Sequence, residues 1–452
     1  FVWLNKGALD LIDLEKCNNF EQELFPQIIK MGRAVHFKIE GNWFSVDTNK
    51  DLNIINLREG NQKELGEMVK KAKENLATRY SYQSRYYGDV NELKVSILDK
   101  TVIPHQVEVQ PGPIGGDICW LKCPYCYGHT AQDSGERLTP ERYVEIMTQI
   151  AEGGVKKVIF AGYATDPLFY NHIEDIVQVA LDYNQITGFH TKAINISDRL
   201  AKQITAASIA PLSYFSISVD SGNNETYNKV HGVPQSQAKL YDKVIANISK
   251  LVEERSKTDA PLDISATYLL NPLNNSSDEV LKSIHDLRNA GVDLIRFTFP
   301  QVPRGYSVNT NDPNIPSKDQ ITEYMKRLRP LIEKENDSQC QVLILDLDGM
   351  HDVYEVPRSL PCFARYIFPS IGFDGWLSHC SESAAPHFRG LAMGNLQEQD
   401  FWDVFYNYDV EDFKRGMSVS CGKMEQLNCK CDRKEHVVNS RLKESGVFDG
   451  II

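Results

Sequence analysis

Ten cysteines are spread unevenly over 452 residues, and their spacing is the first chemical signal in the chain. Cys119, Cys123 and Cys126 fall in the segment CWLKCPYCYGH. Thiolates at this CxxxCxxC spacing, on a loop bent by Gly115, Gly116 and Pro124, can ligate three irons of a [4Fe–4S] cube. The fourth iron then stays open to an outside ligand. A zinc site would use four protein ligands, commonly from two paired motifs, and none completes the set nearby. A CxxC dithiol leaves Cys119 unexplained, and buried structural cysteines have no reason to share close spacings. A second group lies near the end of the chain: Cys362, Cys380, Cys421, Cys429 and Cys431. Cys17 and Cys340 stand alone.

The elements around the first cluster are those of a parallel sheet. HQVEVQ reads as a strand directly before the cysteine loop. VKKVIFAG, FHTKAI, YFSISVD, LDISATYLL and VDLIRFTF read as further strands. Amphipathic helices alternate with them: HIEDIVQVALDYN, DRLAKQITAAS, KLYDKVIANISKLVEER and SDEVLKSIHDLRNAG, with ITEYMKRLRPLIEKEN last. Six strands alternating with helices imply βαβ units, and such sheets place their chemistry in loops at the carboxyl ends of the strands. Four segments follow: an α/β piece over 1–56, a charged linker helix region over 57–103, the (β/α)6 core over 104–335, and a cysteine-rich segment over 336–452.

Bulk properties narrow the classes. The chain is 42% hydrophobic and 24% charged, a globular composition. A formal net charge of −12 argues against a nucleic-acid partner, which needs a basic surface. No stretch approaches the roughly 18 apolar residues of a membrane-spanning helix, and the amino terminus lacks a signal-peptide pattern. The cytoplasm is the expected compartment, with no membrane partner.

CxxxCxxC after the first strand of a six-unit series resembles the radical S-adenosylmethionine (SAM) superfamily, over about 104–335. Tyr125 stands where that family favours an aromatic residue. In AGYATDPLF, where the family has GGE contacting the methionine amino group, only Gly162 matches. YFSISVDSGNNETYNKVHG resembles the fourth-strand motif, making Ser218 a candidate SAM contact. TYLLNPLNN matches the fifth-strand asparagine region, pointing to Asn271, Asn274 or Asn275. The resemblance implies a partial (β/α)6 barrel. It also implies SAM bound to the open iron, its reductive cleavage to a 5′-deoxyadenosyl radical, and hydrogen abstraction from a buried substrate. An electron donor such as flavodoxin or ferredoxin would supply the electron.

PCFARYIFPSIGFDGWLSHC and LAMGNLQEQDFWDVF resemble the SPASM/twitch extension of these enzymes. Five cysteines rather than seven imply one auxiliary [4Fe–4S] cluster, with Cys421, Cys429 or Cys431 spare. The segment NNFEQELFPQIIKMGRAVHFKIEGNWFSVDTNKDLNIIN resembles the end of a sugar-nucleotidyltransferase, without its Gly-rich nucleotide loop. By association this points to a phosphorylated or nucleotide-activated sugar or polyol, dehydrogenated or epimerised. A SPASM-type peptide maturase is the rival enzyme, and an iron–sulfur electron carrier or scaffold the rival outside enzymes. Arg296 and Arg304, near the sixth strand, could pair with a substrate phosphate. Tyr163, Asp166, Lys192 and Asp220 follow strand ends at the mouth, and Cys340 is a conceivable hydrogen donor.

Overall fold

The computed structural model describes residues 89–115, 117–126, 133, 135–162, 165–207, 213–234, 237, 239–258, 260–300, 314–345, 362–384, 386–414 and 433–449. The expected segment over 1–56, most of the linker, Tyr163, Arg304, Cys421, Cys429 and Cys431 lie outside them.

Helix α1 (Val90–Leu98) leads to β1 (Val107–Val109), and then strands and helices alternate. The order is α2 (Pro140–Glu152), β2 (Lys157–Phe160), α3 (Ile173–Asp182), β3 (Ile186–Thr191), α4 (Asp198–Ala207) and β4 (Tyr214–Ser218). Next come α5 (Asn224–His231), α6 (Leu240–Thr258), β5 (Asp263–Leu269), α7 (Ser277–Asn289), β6 (Leu294–Thr298), α8 (Lys318–Lys334) and β7 (Gln341–Ile344). Local chemistry starts the helices. Thr139 accepts from Arg142 N with Pro140 in the first turn, Ser276 accepts from Glu279 N, and Ser317 with Gln320 forms a capping box.

Strands β1 to β7 pair in sequence order, each parallel to the next. This is the α/β sheet expected of the (β/α)6 core. The sheet also runs past residue 335. It takes in β7 at one edge, and at the other β8 (Ser370–Ile371) pairs parallel with β1. Strands β9 (Trp376–Ser378) and β10 (Gly394–Asn395) continue it antiparallel. Helices α9 (Ala364–Ile367), α10 (Phe401–Phe405), α11 (Val410–Lys414) and α12 (Arg433–Glu444) complete the described carboxyl-terminal part.

The two faces of the sheet differ. Phe160, Phe189, Phe215, Ile217, Ile264, Tyr268, Ile295 and Phe297 are sealed in the core, with the Phe160–Phe189–Phe215 rings in successive contact. Alternation puts Tyr214, Ser216, Ser218, Ser265, Thr267 and Arg296 on the opposite face, where His190 is exposed. The sealed face is the one helices cover; the polar one is the inner face of the barrel.

The carboxyl-terminal part is held to α2. Arg142 donates to Leu396 O (2.8 Å) and Gln399 O, and Trp402 Nε1 donates to Gln149 O (2.8 Å). The Trp402 ring lies where a Cβ on Gly153 would be, 2.0 Å away. Among the described residues no helix is long and apolar enough to cross a membrane.

Candidate functional site

The cysteine loop leaves the carboxyl end of β1 and is tied to its neighbours at each turn. Thr165 Oγ1 donates to Ile118 O (2.9 Å), beside Cys119. Trp120 stacks on Phe169 with ring centroids 5.4 Å apart. Lys122 N donates to His231 O (2.8 Å), and Cys126 N to Cys123 O (3.0 Å). The residue after His231, Gly232, has φ +56° and ends α5. A Cβ there would sit 2.7 Å from Lys122 Cβ and 2.8 Å from Lys122 O. The close approach of the α5 terminus to the loop requires glycine.

None of the three thiols is in a disulfide. Burial pushes Cys119 up to about 12 and Cys123 higher still, with the neighbouring thiols adding to both. The three therefore share one electrostatic neighbourhood. Protons are hard to remove from such thiols unless a metal replaces them. Among the described residues no three His, Cys, Asp or Glu converge tightly enough to hold a single ion. The donor set fits a [4Fe–4S] cube with one iron left open.

Behind the loop lies a buried polar network that the sequence did not reveal. Tyr125 Oη donates to Asp220 Oδ2 (2.7 Å), and Lys192 Nζ donates to the same oxygen (2.9 Å). Leu269 N donates to Asp220 Oδ1 (2.7 Å), and Asn274 Nδ2 to the Asp220 carbonyl (2.9 Å). Asp166 accepts from Thr191 Oγ1, Leu168 N and Lys192 N. His231 Nε2 faces Val219 O and its Nδ1 faces Cys123 Sγ, each at 3.2 Å. A neutral ring thus donates to the carbonyl and accepts the thiol proton. Burial and the Lys192 charge hold His231 down, to about 3. The contact was hidden because 108 positions separate His231 from Cys123; only its place before Gly232 hinted at it.

The remaining candidates are placed as follows. Tyr125 is buried, its hydroxyl engaged with Asp220. Gly162 forms a turn so tight that a Cβ would sit 1.8 Å from Thr165 O. Ser218 ends β4 half-buried, in register with Thr267. Asn271 is fully buried and uses its amide within its own turn, donating to Leu269 O and accepting from Leu273 N. Asn274 does the same for Asn271 N, and Asn275 Nδ2 donates to Asn271 O. Arg296 Nη2 donates to Thr267 Oγ1 (3.2 Å) on the inner face. Cys340 is buried just before β7, at the amino end of the strands, so it cannot reach a reaction at their carboxyl ends. Cys362 and Cys380 are buried and in no disulfide; Ser383 Oγ lies 3.6 Å from Cys380 Sγ.

Residues 114–270 match the Radical SAM superfamily. The chain is 25% identical over 257 residues to a probable GTP 3′,8-cyclase of Methanosarcina mazei, covering 52% of this chain and 73% of that protein. It is 25% identical over 167 residues to a PqqA peptide cyclase of Bradyrhizobium diazoefficiens, 37% of this chain and 40% of that one. Among solved structures, Streptococcus suis SuiB bound to precursor peptide SuiA is similar in fold. Its TM-score is 0.51 at 15% identity, over 97% of this chain and 90% of that chain.

Proposed function

We propose that this chain, whose residues 114–270 match the Radical SAM superfamily, works as a radical SAM enzyme that abstracts hydrogen from a phosphorylated or nucleotide-linked sugar or polyol. Cys119, Cys123 and Cys126 would hold the cluster, which together with SAM supplies a 5′-deoxyadenosyl radical able to attack an unactivated C–H bond. The chain's own part is to place and shield. Tyr125, Gly162, Ser218 and Asn271 would border SAM along the carboxyl ends of β1 to β5, with Ser218 offering a side-chain hydroxyl and the others shaping the wall. The sealed outer layer of Phe160, Phe189, Phe215 and Phe297 keeps water out from behind.

The observation carrying the substrate class is the row Ser218, Thr267 and Arg296, register partners on the inner face. A half-buried guanidinium beside two hydroxyls is a donor set for phosphate, which takes Arg bidentately. The first relative's name places it on a nucleoside triphosphate, the same anionic chemistry. Cys362 and Cys380, with two of Cys421, Cys429 and Cys431, would hold a second [4Fe–4S] cluster able to exchange an electron with a substrate radical. Flavodoxin or ferredoxin would reduce the first cluster, in the reducing cytoplasm that thiolate ligands require.

A peptide substrate is the second reading, favoured by the peptide cyclase among the relatives. Deuterated candidates separate the two. A sugar phosphate or nucleotide sugar that speeds SAM cleavage and passes deuterium into 5′-deoxyadenosine supports the proposal. If only a peptide does so, the substrate class is wrong.

A further inference from the structure

Asp220 and Lys192 form an ion pair behind the cysteine loop, and ligating iron does not require it. Asp220 is fully buried and the Lys192 side chain is 14% exposed. Asp220 also has φ +55°, a left-handed backbone that is costly for a residue with a Cβ. A neutral acceptor could receive the Tyr125 hydroxyl and the Leu269 amide equally well, and a buried ion pair is a poor source of stability compared with apolar packing. Burial pushes the Asp220 carboxyl up, but the Lys192 charge and the donated hydrogen bonds outweigh it and hold it below the ordinary carboxylate range. Burial pushes Lys192 down, and Asp220 together with the Cys123 and Asp166 groups outweighs it. Both groups are charged in the folded chain.

The pair is coupled to the thiols by two routes. Tyr125, held by Asp220, lies between Cys123 and Cys126 in the loop. His231, whose Nδ1 touches Cys123 Sγ, has its Nε2 3.9 Å from Asp220 Oδ2. The Lys192 charge also acts on Cys119 and Cys123 directly.

We infer that Asp220 and Lys192 are positioning residues for electron uptake, setting the electrostatic potential at the three-cysteine site while Tyr125 and His231 tie that potential to the loop. The inference rests on the reading that these cysteines hold the cluster. A cluster gains one negative charge on reduction. Removing the Asp220 charge makes that gain easier, and removing the Lys192 charge makes it harder. The effects must therefore have opposite sign. A unit charge about 12 Å away, in protein of effective dielectric near 20, is worth about tenfold in the reduction equilibrium, or about 59 mV for one electron.

The test is a redox titration of the anaerobically reconstituted full chain, following the iron–sulfur EPR signal that changes when SAM is added. Asp220→Asn should raise the midpoint potential and Lys192→Met should lower it. Lys192→Arg, which keeps the charge, should stay near wild type, and Tyr125→Phe should shift it less than either charge variant. Should Asp220→Asn lose its iron, Lys192→Met against Lys192→Arg still decides the matter. Shifts of the same sign in the two charge variants, or a Lys192→Arg shift equal to that of Lys192→Met, overturn the inference. A wild-type chain that binds no cubane iron instead overturns the cluster reading on which it rests.

Discussion

Gly232→Ala probes the joint between α5 and the cysteine loop. At φ +56° an alanine costs roughly 1–2 kcal/mol, reduced by about 0.5–1 kcal/mol because glycine loses more freedom on folding. The new Cβ would also lie 2.7 Å from Lys122 Cβ and 2.8 Å from Lys122 O. One of those contacts is backbone, so the Lys122 segment must retreat and give up its 2.8 Å amide bond to His231 O. That bond adds about 1 kcal/mol. Gly135 is the control, with φ +76° and nothing within 4 Å of the point a Cβ would occupy. Gly135→Ala should cost about 1 kcal/mol and leave iron binding untouched. Gly232→Ala should cost about 2 kcal/mol and lower iron occupancy, because Lys122 lies between Cys119 and Cys123. Thermal unfolding and iron per chain measure both. Equal behaviour of the two variants would refute the claim that the α5 terminus braces the loop.

Replacing Cys119, Cys123 and Cys126 together with alanine should remove about half of roughly eight irons per chain, the count for two cubanes; full iron retention would sink the ligand assignment. Trp402→Ala should cost about 3 kcal/mol by emptying the space over Gly153, and should expose residues 394–414 to protease before the barrel unfolds. Burial and Lys157 lower His105 to about 4, below its ordinary 6.5. The unfolded chain thus binds the extra proton first, and His105 contributes stability above pH 6.5 that is lost as pH falls toward 4. His105→Gln should flatten the stability profile in that window by about 2 kcal/mol, after discounting for partial exposure; an unchanged profile would contradict the assignment.

The six expected strands and the helices between them were legible because each runs long enough to show its period, and their ends carry caps such as Ser276 and Ser317. Strands β8, β9 and β10 have two or three residues each, too few for alternation to register. The pairing of β8 with β1 joins distant parts of the chain, and nothing local encodes it. At the site, residue type and spacing singled out the three cysteines as candidate ligands, since ligand chemistry depends on both. Asn271 was marked by family resemblance, and its amide is engaged within its own turn. The Asp220–Lys192 pair and the His231–Cys123 contact arise only when three strand ends meet. Sequence placed each residue at the mouth without saying which would touch.

On the proposed reading, Cys119, Cys123 and Cys126 hold a cluster with one iron left open to SAM. The direct measurement is 5′-deoxyadenosine formed by the anaerobically reconstituted chain with SAM and a strong reductant. Wild type should form it slowly alone and faster with its substrate, and the Cys119→Ala, Cys123→Ala, Cys126→Ala triple variant should form none. Equal formation by that variant, or none by an iron-loaded wild type, would contradict the account.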